Sequence, residues 1–421
     1  ERATENALCT IFRKPNMIFL SFLVLLCFTC RLGHGVGLHG FHFHGLEEPR
    51  SLIKSDCENI TELWIRQPVD HFNVRDNRTW LMRYYENSRY FKENGPILIM
   101  IGGEWAISKG FLEAGLMYEL ASTYNAIMYY TEHRYYGKSK PTEDTSTRNL
   151  QYLSVDQALA DLAYFIETRK KDEKLQNSKV IVFGGSYAGN VATWVRLKYP
   201  HLVQGALASS APVLAKVDFY EYYEVVTESL RRHSQKCVDE VKAAFDEVQE
   251  LLAIKGGAQK LKEYFNLSQF TEMKYGTRNL ISVRFLLAAC KRMFRACELF
   301  IINPHMSVFP ARLWFYQTCT EYGYYQTSNS RKSVFGTLFP LPYFMEIVHK
   351  LYRLSYSYGN KFLYTRIERT NTMYGGLRPD LQNVIFTNGD DLNAFSPAIL
   401  IKDLIQARAR VRKIIGTWIS S

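Results

Sequence analysis

Beyond Arg31 the chain has no Cys-x-x-Cys pair, and nowhere does it have His-x-x-x-His. A zinc site of the usual ligand spacing is therefore not expected, and no cofactor is called for. One charge sign is in excess, at a net +11, but no long basic block exists. Arg231-Arg232, residues 291–295, the leader and the C-terminal stretch hold the surplus in short pieces. These read as solvated faces, and no nucleic-acid partner is expected. Internal repeats and low-complexity tracts are also missing, which excludes solenoids and long linkers. A single apolar run, Met17 to Cys30, is too short to cross a bilayer comfortably. Arg13 and Lys14 precede it and no stop-transfer pattern follows, so it reads as a secretory signal, with a signal anchor as the rival. Met17 is the expected start, residues 1–35 forming leader and signal peptide. No stable membrane span is expected elsewhere.

The composition is otherwise that of a globular protein. Hydrophobic residues make up 47% and aromatics 14%, too much for a mostly disordered chain, and 421 residues can bury a large core. With Cys9, Cys27 and Cys30 in the leader, Cys57, Cys237, Cys290, Cys297 and Cys319 remain. An odd number leaves at least one thiol free, while four between 237 and 319 suggest disulfides stapling one region. Asn59, Asn77 and Asn266 each open an Asn-x-Ser/Thr triplet, the acceptor pattern of a secreted glycoprotein. Four histidines between Gly33 and Gly45 read as a mobile tract behind the signal, with weak metal binding the alternative.

From residue 95 onward strand and helix alternate. Ile97–Ile101, Ala126–Tyr130, Val180–Phe183, Val203–Ser209 and Val384–Thr387 are short apolar strands. Phe111–Thr123 and Asn190–Tyr199 read as helices. Ser154-Val-Asp-Gln157 is a capping box that starts another, with Val155, Leu159, Leu162 and Ile166 on one face. The alternation predicts a parallel sheet covered on both faces, with function at the carboxyl ends of its strands. Between about 216 and 365 helical periodicity takes over (Val238, Val241, Ala244, Phe245, Val248), as in a helical insertion.

The strand Val180–Phe183 runs straight into Gly184-Gly185-Ser186-Tyr187-Ala188-Gly189. Small residues two places either side of a serine allow a sharp strand-to-helix turn. That turn lifts the hydroxyl to the top of a sheet beside the N–H groups of a helix N-terminus. The pattern makes Ser186 a candidate nucleophile of acyl transfer. Taken alone it permits an esterase or lipase as readily as a peptidase, and it demands an acid and then a histidine downstream.

Several longer motifs fall in one order: Trp64–Phe72 (WIRQPVDHF), Gly102-Gly-Glu-Trp105, Glu132–Ser139 (EHRYYGKS), Leu153–Asp161, Gly184–Gly189 and Gln317–Gln326 (QTCTEYGYYQ). Together they resemble the serine exopeptidases that include lysosomal Pro-X carboxypeptidase, dipeptidyl peptidase II and thymus-specific serine protease. The resemblance covers nearly all of the chain after the signal. It implies an α/β-hydrolase fold with an inserted helical, disulfide-linked cap domain: core over 50–215, cap over 216–365, core again over 366–421. A cap above the serine would admit only chain ends. The implied substrate is a peptide cut next to proline, in a secreted or lysosomal enzyme, with a homodimer formed through the cap. Ser186 would attack, and the Tyr187 N–H with a backbone donor at Gly103 would hold the oxyanion. The acid falls on Asp391, with Asp390 as competitor; an ungapped match would instead put Leu392 there.

No histidine follows Asp391. Residues 407–415 with Trp418-Ile419 nevertheless resemble the family's last helix, which points to an internal deletion near 392–403. His133, His201, His233, His305 and His349 stand in the wrong order for the triad and read as packing or surface residues. Met345 stands near where relatives carry a cysteine, in keeping with the odd thiol. The sequence thus supports a peptidase of this family, with a catalytically impaired, peptide-binding homologue as the alternative.

Overall fold

The computed structural model describes residues 60–264, 310–352, 356–388 and 402–421. Nine strands are described: β1 (Ile60–Pro68), β2 (Thr79–Asn87), β3 (Ile97–Ile101), β4 (Ile127–Thr131), β5 (Val180–Gly185), β6 (Gly205–Ser209), β7 (Lys216–Asp218), β8 (Gly323–Tyr325) and β9 (Val384–Thr387). The helices are α1 (Gly110–Glu113), α2 (Leu116–Tyr124), α3 (Val155–Arg169), α4 (Tyr187–Lys198), α5 (Glu221–His233), α6 (Gln235–Ala253), α7 (Gly257–Tyr264), α8 (Pro310–Gln317), α9 (Leu341–Tyr352), α10 (Tyr356–Tyr374) and α11 (Lys402–Ser420). They fall into two compact units.

The larger unit is built on a seven-stranded sheet in the order β1-β2-β4-β3-β5-β6-β9. β3, β4, β5, β6 and β9 run parallel, and β2 is antiparallel to both its neighbours. The central strands β3, β4, β5 and β6 are buried along their whole length, which explains their unbroken apolar character. On one face Leu98, Met100, Met128, Tyr130, Ile181, Phe183 and Leu207 meet Leu116, Met117 and Leu120 of α2 and Val411, Ile415 and Trp418 of α11. On the other, Phe165 of α3 packs edge-on against Tyr84 at 5.0 Å and Tyr129 at 5.3 Å. The core is a three-layer α/β arrangement.

Local signals account for most boundaries. Ser154 caps α3, its hydroxyl accepting the Gln157 N–H at 3.4 Å, and Val155, Leu159, Leu162 and Ile166 are all buried. The helix expected over 111–123 is instead two, because Gly115 takes φ 91 and breaks the chain between α1 and α2. Helix α4 begins at Tyr187, directly after the serine and three places earlier than apolar periodicity indicated. Residues 310–322 belong to the sheet unit, so the stretch from Gln317 to Gln326 is divided between the units after Tyr322.

In the smaller unit β7 and β8 form a short parallel pair, Lys216 opposite Gly323 and Asp218 opposite Tyr325. Its core is Val238, Val241 and Phe245 of α6 with Val334 and Phe335, flanked by Tyr223, Val226 and Leu230 of α5. Cys319, in the sheet unit, is a buried free thiol donating to the Tyr316 carbonyl at 3.1 Å. Burial pushes that thiol well above its ordinary pKa. The disulfide stapling expected between 237 and 319 involves the other cysteines, whose side chains lie outside the described residues.

Candidate active site

Ser186 sits between β5 and α4 with φ 55 and ψ −130, a conformation L-residues pay to adopt. The turn is possible only because its neighbours lack bulk. A Cβ on Gly184 would lie 2.0 Å from the Ala188 carbonyl oxygen, and one on Gly189 would lie 2.9 Å from the Ala211 methyl. The Ser186 N–H is tied to the Ser209 carbonyl at 2.9 Å, and its own carbonyl accepts the Gly189 N–H at 2.9 Å. Tyr187 is the first residue of α4, so its N–H has no acceptor within the helix. This is a strand–serine–helix elbow, the kind of turn that exposes a nucleophilic serine in α/β-hydrolases.

Strand register decides what stands beside the serine. Met100 of β3 pairs with Phe183 of β5, Gly185 with Ser209 of β6, and Ser209 with Thr387 of β9. The carboxyl ends of β3, β5, β6 and β9 therefore open side by side. The loop after β3 carries Gly102 and Gly103. The Gly102 N–H donates to the Thr131 carbonyl at 2.8 Å, and a Cβ on Gly103 would lie 2.4 Å from the Trp105 ring. Trp105 is itself buried, with its Nε1–H on the Tyr130 hydroxyl at 3.0 Å.

A buried ion pair fastens the far end of that loop. Glu132 Oε1 accepts the Ile107 N–H at 3.2 Å, while Arg83 Nη2 donates to the Ile107 carbonyl at 3.2 Å. Arg83 and Glu132 meet at 2.5 Å, and Glu132 Oε2 also accepts from the Ser139 hydroxyl at 2.8 Å and the Lys138 N–H at 2.9 Å. Gly137, at φ +55, leaves room for this carboxylate, since a Cβ there would come within 1.9 Å of Glu132 Oε1.

Asp390 and Asp391 lie outside the described residues, as do Asn59 and Asn266; Asn77 is exposed in the loop between β1 and β2. β9, which leads toward the acids, ends two strands from the serine's strand, about 10 Å at ordinary strand spacing. His133 is buried with both ring nitrogens engaged: Nδ1 is 2.8 Å from the Arg134 carbonyl oxygen and Nε2 is 3.0 Å from the Tyr187 hydroxyl. It is therefore committed to the fold beneath the elbow. Neither the Glu132–Arg83 clasp nor the contact of His133 with Tyr187 was foreseen. The motif Glu132–Ser139 marked the stretch, but no spacing rule tells which of its side chains turn inward.

The sequence profile of the family described as Serine carboxypeptidase S28 matches residues 67–285 and 288–396. The chain belongs to that family. By family it is a serine-type peptidase. Thymus-specific serine protease of Mus musculus is 33% identical over 415 residues, covering 80% of this chain and 80% of that protein. Human lysosomal Pro-X carboxypeptidase is 36% identical over 213 residues, covering 49% of this chain and 43% of that protein. Among solved structures, proline iminopeptidase from Mycobacterium smegmatis aligns with a TM-score of 0.36 at 11% identity, over 85% of this chain and 98% of that one.

Proposed function

We propose that this S28 peptidase is a secreted or lysosomal exopeptidase that removes residues next to proline, through an acyl-enzyme on Ser186. The observation that carries the reading is Ser186 itself, held at φ 55 between strand and helix beside the Gly102–Gly103 loop. The Ser186 oxygen attacks the scissile carbonyl, whose oxygen takes the electron pair. The Tyr187 N–H and a backbone donor at Gly103 receive that oxyanion, each such donor being worth roughly 10²–10³ in rate. Collapse of the tetrahedral intermediate breaks the C–N bond, the departing amine taking up the proton the serine has lost, and leaves an ester on Ser186. Water then hydrolyses it, releasing the acid and restoring the hydroxyl. Asp391 is the proposed acid. The relative that acts on Pro-X bonds by its printed name supports the proline preference. The Asn77 triplet and the expected signal support the secretory route. A disulfide-linked helical insertion and a homodimer belong to the same proposal.

A second reading has one specific observation in its favour: no histidine lies between Asn388 and Ser421. The serine proton then lacks its usual acceptor, and turnover falls by about 10⁶ while oxyanion and binding effects survive. The protein would then bind peptides rather than process them.

Labelling by a fluorophosphonate, followed by turnover of proline-containing peptides and short esters, tests both. Peptidase function requires labelling that Ser186→Ala abolishes, together with faster cleavage of the peptides than of the esters. Labelling without peptide turnover, combined with tight peptide binding, selects the second reading. Labelling indifferent to Ser186→Ala overturns the first.

A further inference from the structure

Tyr187 contributes more to the elbow than a backbone N–H. Its ring is fully buried, packed against Trp314 at 5.4 Å and Tyr322 at 5.3 Å between ring centres. Its hydroxyl meets His133 Nε2 at 3.0 Å, Gln317 Nε2 at 3.0 Å and the Tyr322 hydroxyl at 3.2 Å. Gln317 Oε1 in turn accepts the Tyr136 hydroxyl at 2.6 Å.

Chemistry sets the direction of each bond. The Arg134 carbonyl only accepts, so the proton of a neutral His133 sits on Nδ1 and Nε2 is an acceptor. Tyr187 donates its single proton there. Its two lone pairs then receive the Gln317 amide and the Tyr322 hydroxyl, and the hydroxyl's capacity is filled. Three separate stretches thus converge on the side chain of the residue next to Ser186: the loop after β4, the start of α4, and the end of α8 with the turn after it.

We propose that this hub is a positioning device, in which His133, Gln317 and Tyr322 hold the Tyr187 phenol and thereby aim the Tyr187 N–H at the developing oxyanion. The inference rests on the reading of Ser186 as nucleophile and of the Tyr187 N–H as an oxyanion donor. As the first residue of its helix, Tyr187 has no intrahelical acceptor to orient its N–H. A side chain locked at its far end supplies that orientation. The hub also requires a neutral His133, because a protonated ring would turn a second N–H toward a hydroxyl with no lone pair left. Burial pushes His133 down to about 4, against the Arg134 carbonyl and the Asp161 carboxylate, which favour its charged form. The Arg134 guanidinium opposes that charge; Glu132, Tyr136, Tyr187 and Tyr322 are further titratable groups about the hub, and the Glu321 and Glu104 carboxyls act on the Tyr187 hydroxyl.

The test compares two probes on the full chain: a peptidyl boronic acid ending in proline, which forms a tetrahedral adduct on the serine, and the corresponding peptide acid. Tyr187→Phe and His133→Leu should weaken the boronate roughly 10–100-fold, as a small misplacement does, with peptide-acid affinity kept. His133→Gln restores an acceptor and should recover most of the boronate affinity. Wild-type boronate affinity, relative to His133→Gln, should decline as pH falls from 6.5 to about 4. Tyr136→Phe, which removes one hydroxyl at the margin of the hub, gives the same readout if Tyr187→Phe does not fold. Equal loss of both probes in these variants, or no loss of boronate affinity, overturns the hub. Boronate binding unchanged in Ser186→Ala overturns the nucleophile reading beneath it; binding lost in Ser186→Ala but retained in Tyr187→Phe overturns the hub alone.

Discussion

Glu321 is a carboxyl group shut away from water. Its Oε1 accepts the Val155 N–H at 2.9 Å, at the start of α3, and the Thr370 hydroxyl donates to its backbone carbonyl at 2.6 Å. Burial, against the Val155 N–H and with help from the Asp156 carboxylate, pushes its pKa up from 4.5 to about 8. The folded state therefore keeps a proton that the unfolded chain releases. The stabilisation from protonation is complete below pH 4.5 and is lost as pH rises toward 8. Glu321→Gln should flatten the fall in melting temperature across that window, and an unchanged slope in thermal melts would show the carboxyl to be ionised in the fold. His133 has the opposite sign: its folded pKa is depressed, so its contribution disappears as pH falls from 6.5 to about 4. The sharp turn at Ser186 was readable because Gly184 and Ala188 flank it, and a Cβ on Gly184 would meet the Ala188 carbonyl at 2.0 Å. That Glu321 is buried was not readable, since a glutamate in a polar-looking run is as often exposed.

At the scale of elements, apolar runs and turn chemistry gave the strands nearly to the residue: Ile97–Ile101 and Val384–Thr387 stand as read. Helix starts were less legible. Apolar periodicity cannot see that α4 begins at Tyr187, because its first turn is set by the strained serine rather than by an amphipathic stripe. The Gly115 break inside an otherwise helical pattern was missed for the converse reason, that an isolated glycine is tolerated in many helices. Helix α11 shows how tightly one element is docked. Trp418 is nearly buried, and a Cβ on Gly205 of β6 would come within 2.3 Å of its ring. Trp418→Ala should cost about 3–5 kcal/mol in urea unfolding, since the glycine opposite cannot fill the space. A cost below about 1 kcal/mol would mean that α11 is not held by this contact.

Across the sheet unit, buried charges tie together parts far apart in sequence. Glu132 joins β2, through Arg83, to the loops after β3 and β4. Arg134 is bound by both oxygens of Asp161 at 2.7 Å and donates to the Val69 carbonyl at 3.1 Å. Glu132→Ala would leave the buried Arg83 charge with only the looser Glu62 carboxylate at 3.3 Å and would free the Ile107 N–H, at a cost of about 2–4 kcal/mol. Fluorophosphonate labelling should slow in the same variant even well below its melting point; labelling at the wild-type rate would show that the Gly102–Gly103 loop does not depend on this clasp. Composition, period and the elbow motif were enough to establish an α/β sheet with a serine at a strand–helix turn, and the ordered motifs were enough for the family. Those signals are local: they depend on which residues can bend, cap or alternate within a few positions. Strand order, and with it the neighbours of Ser186, came only from the packed sheet, because pairings such as Tyr84 with Thr131 or Ala206 with Val384 leave no short-range trace. The same holds for the inward turn of Tyr187, His133, Gln317 and Glu132. Whether a polar side chain faces water or a buried partner is decided by what the rest of the chain brings against it.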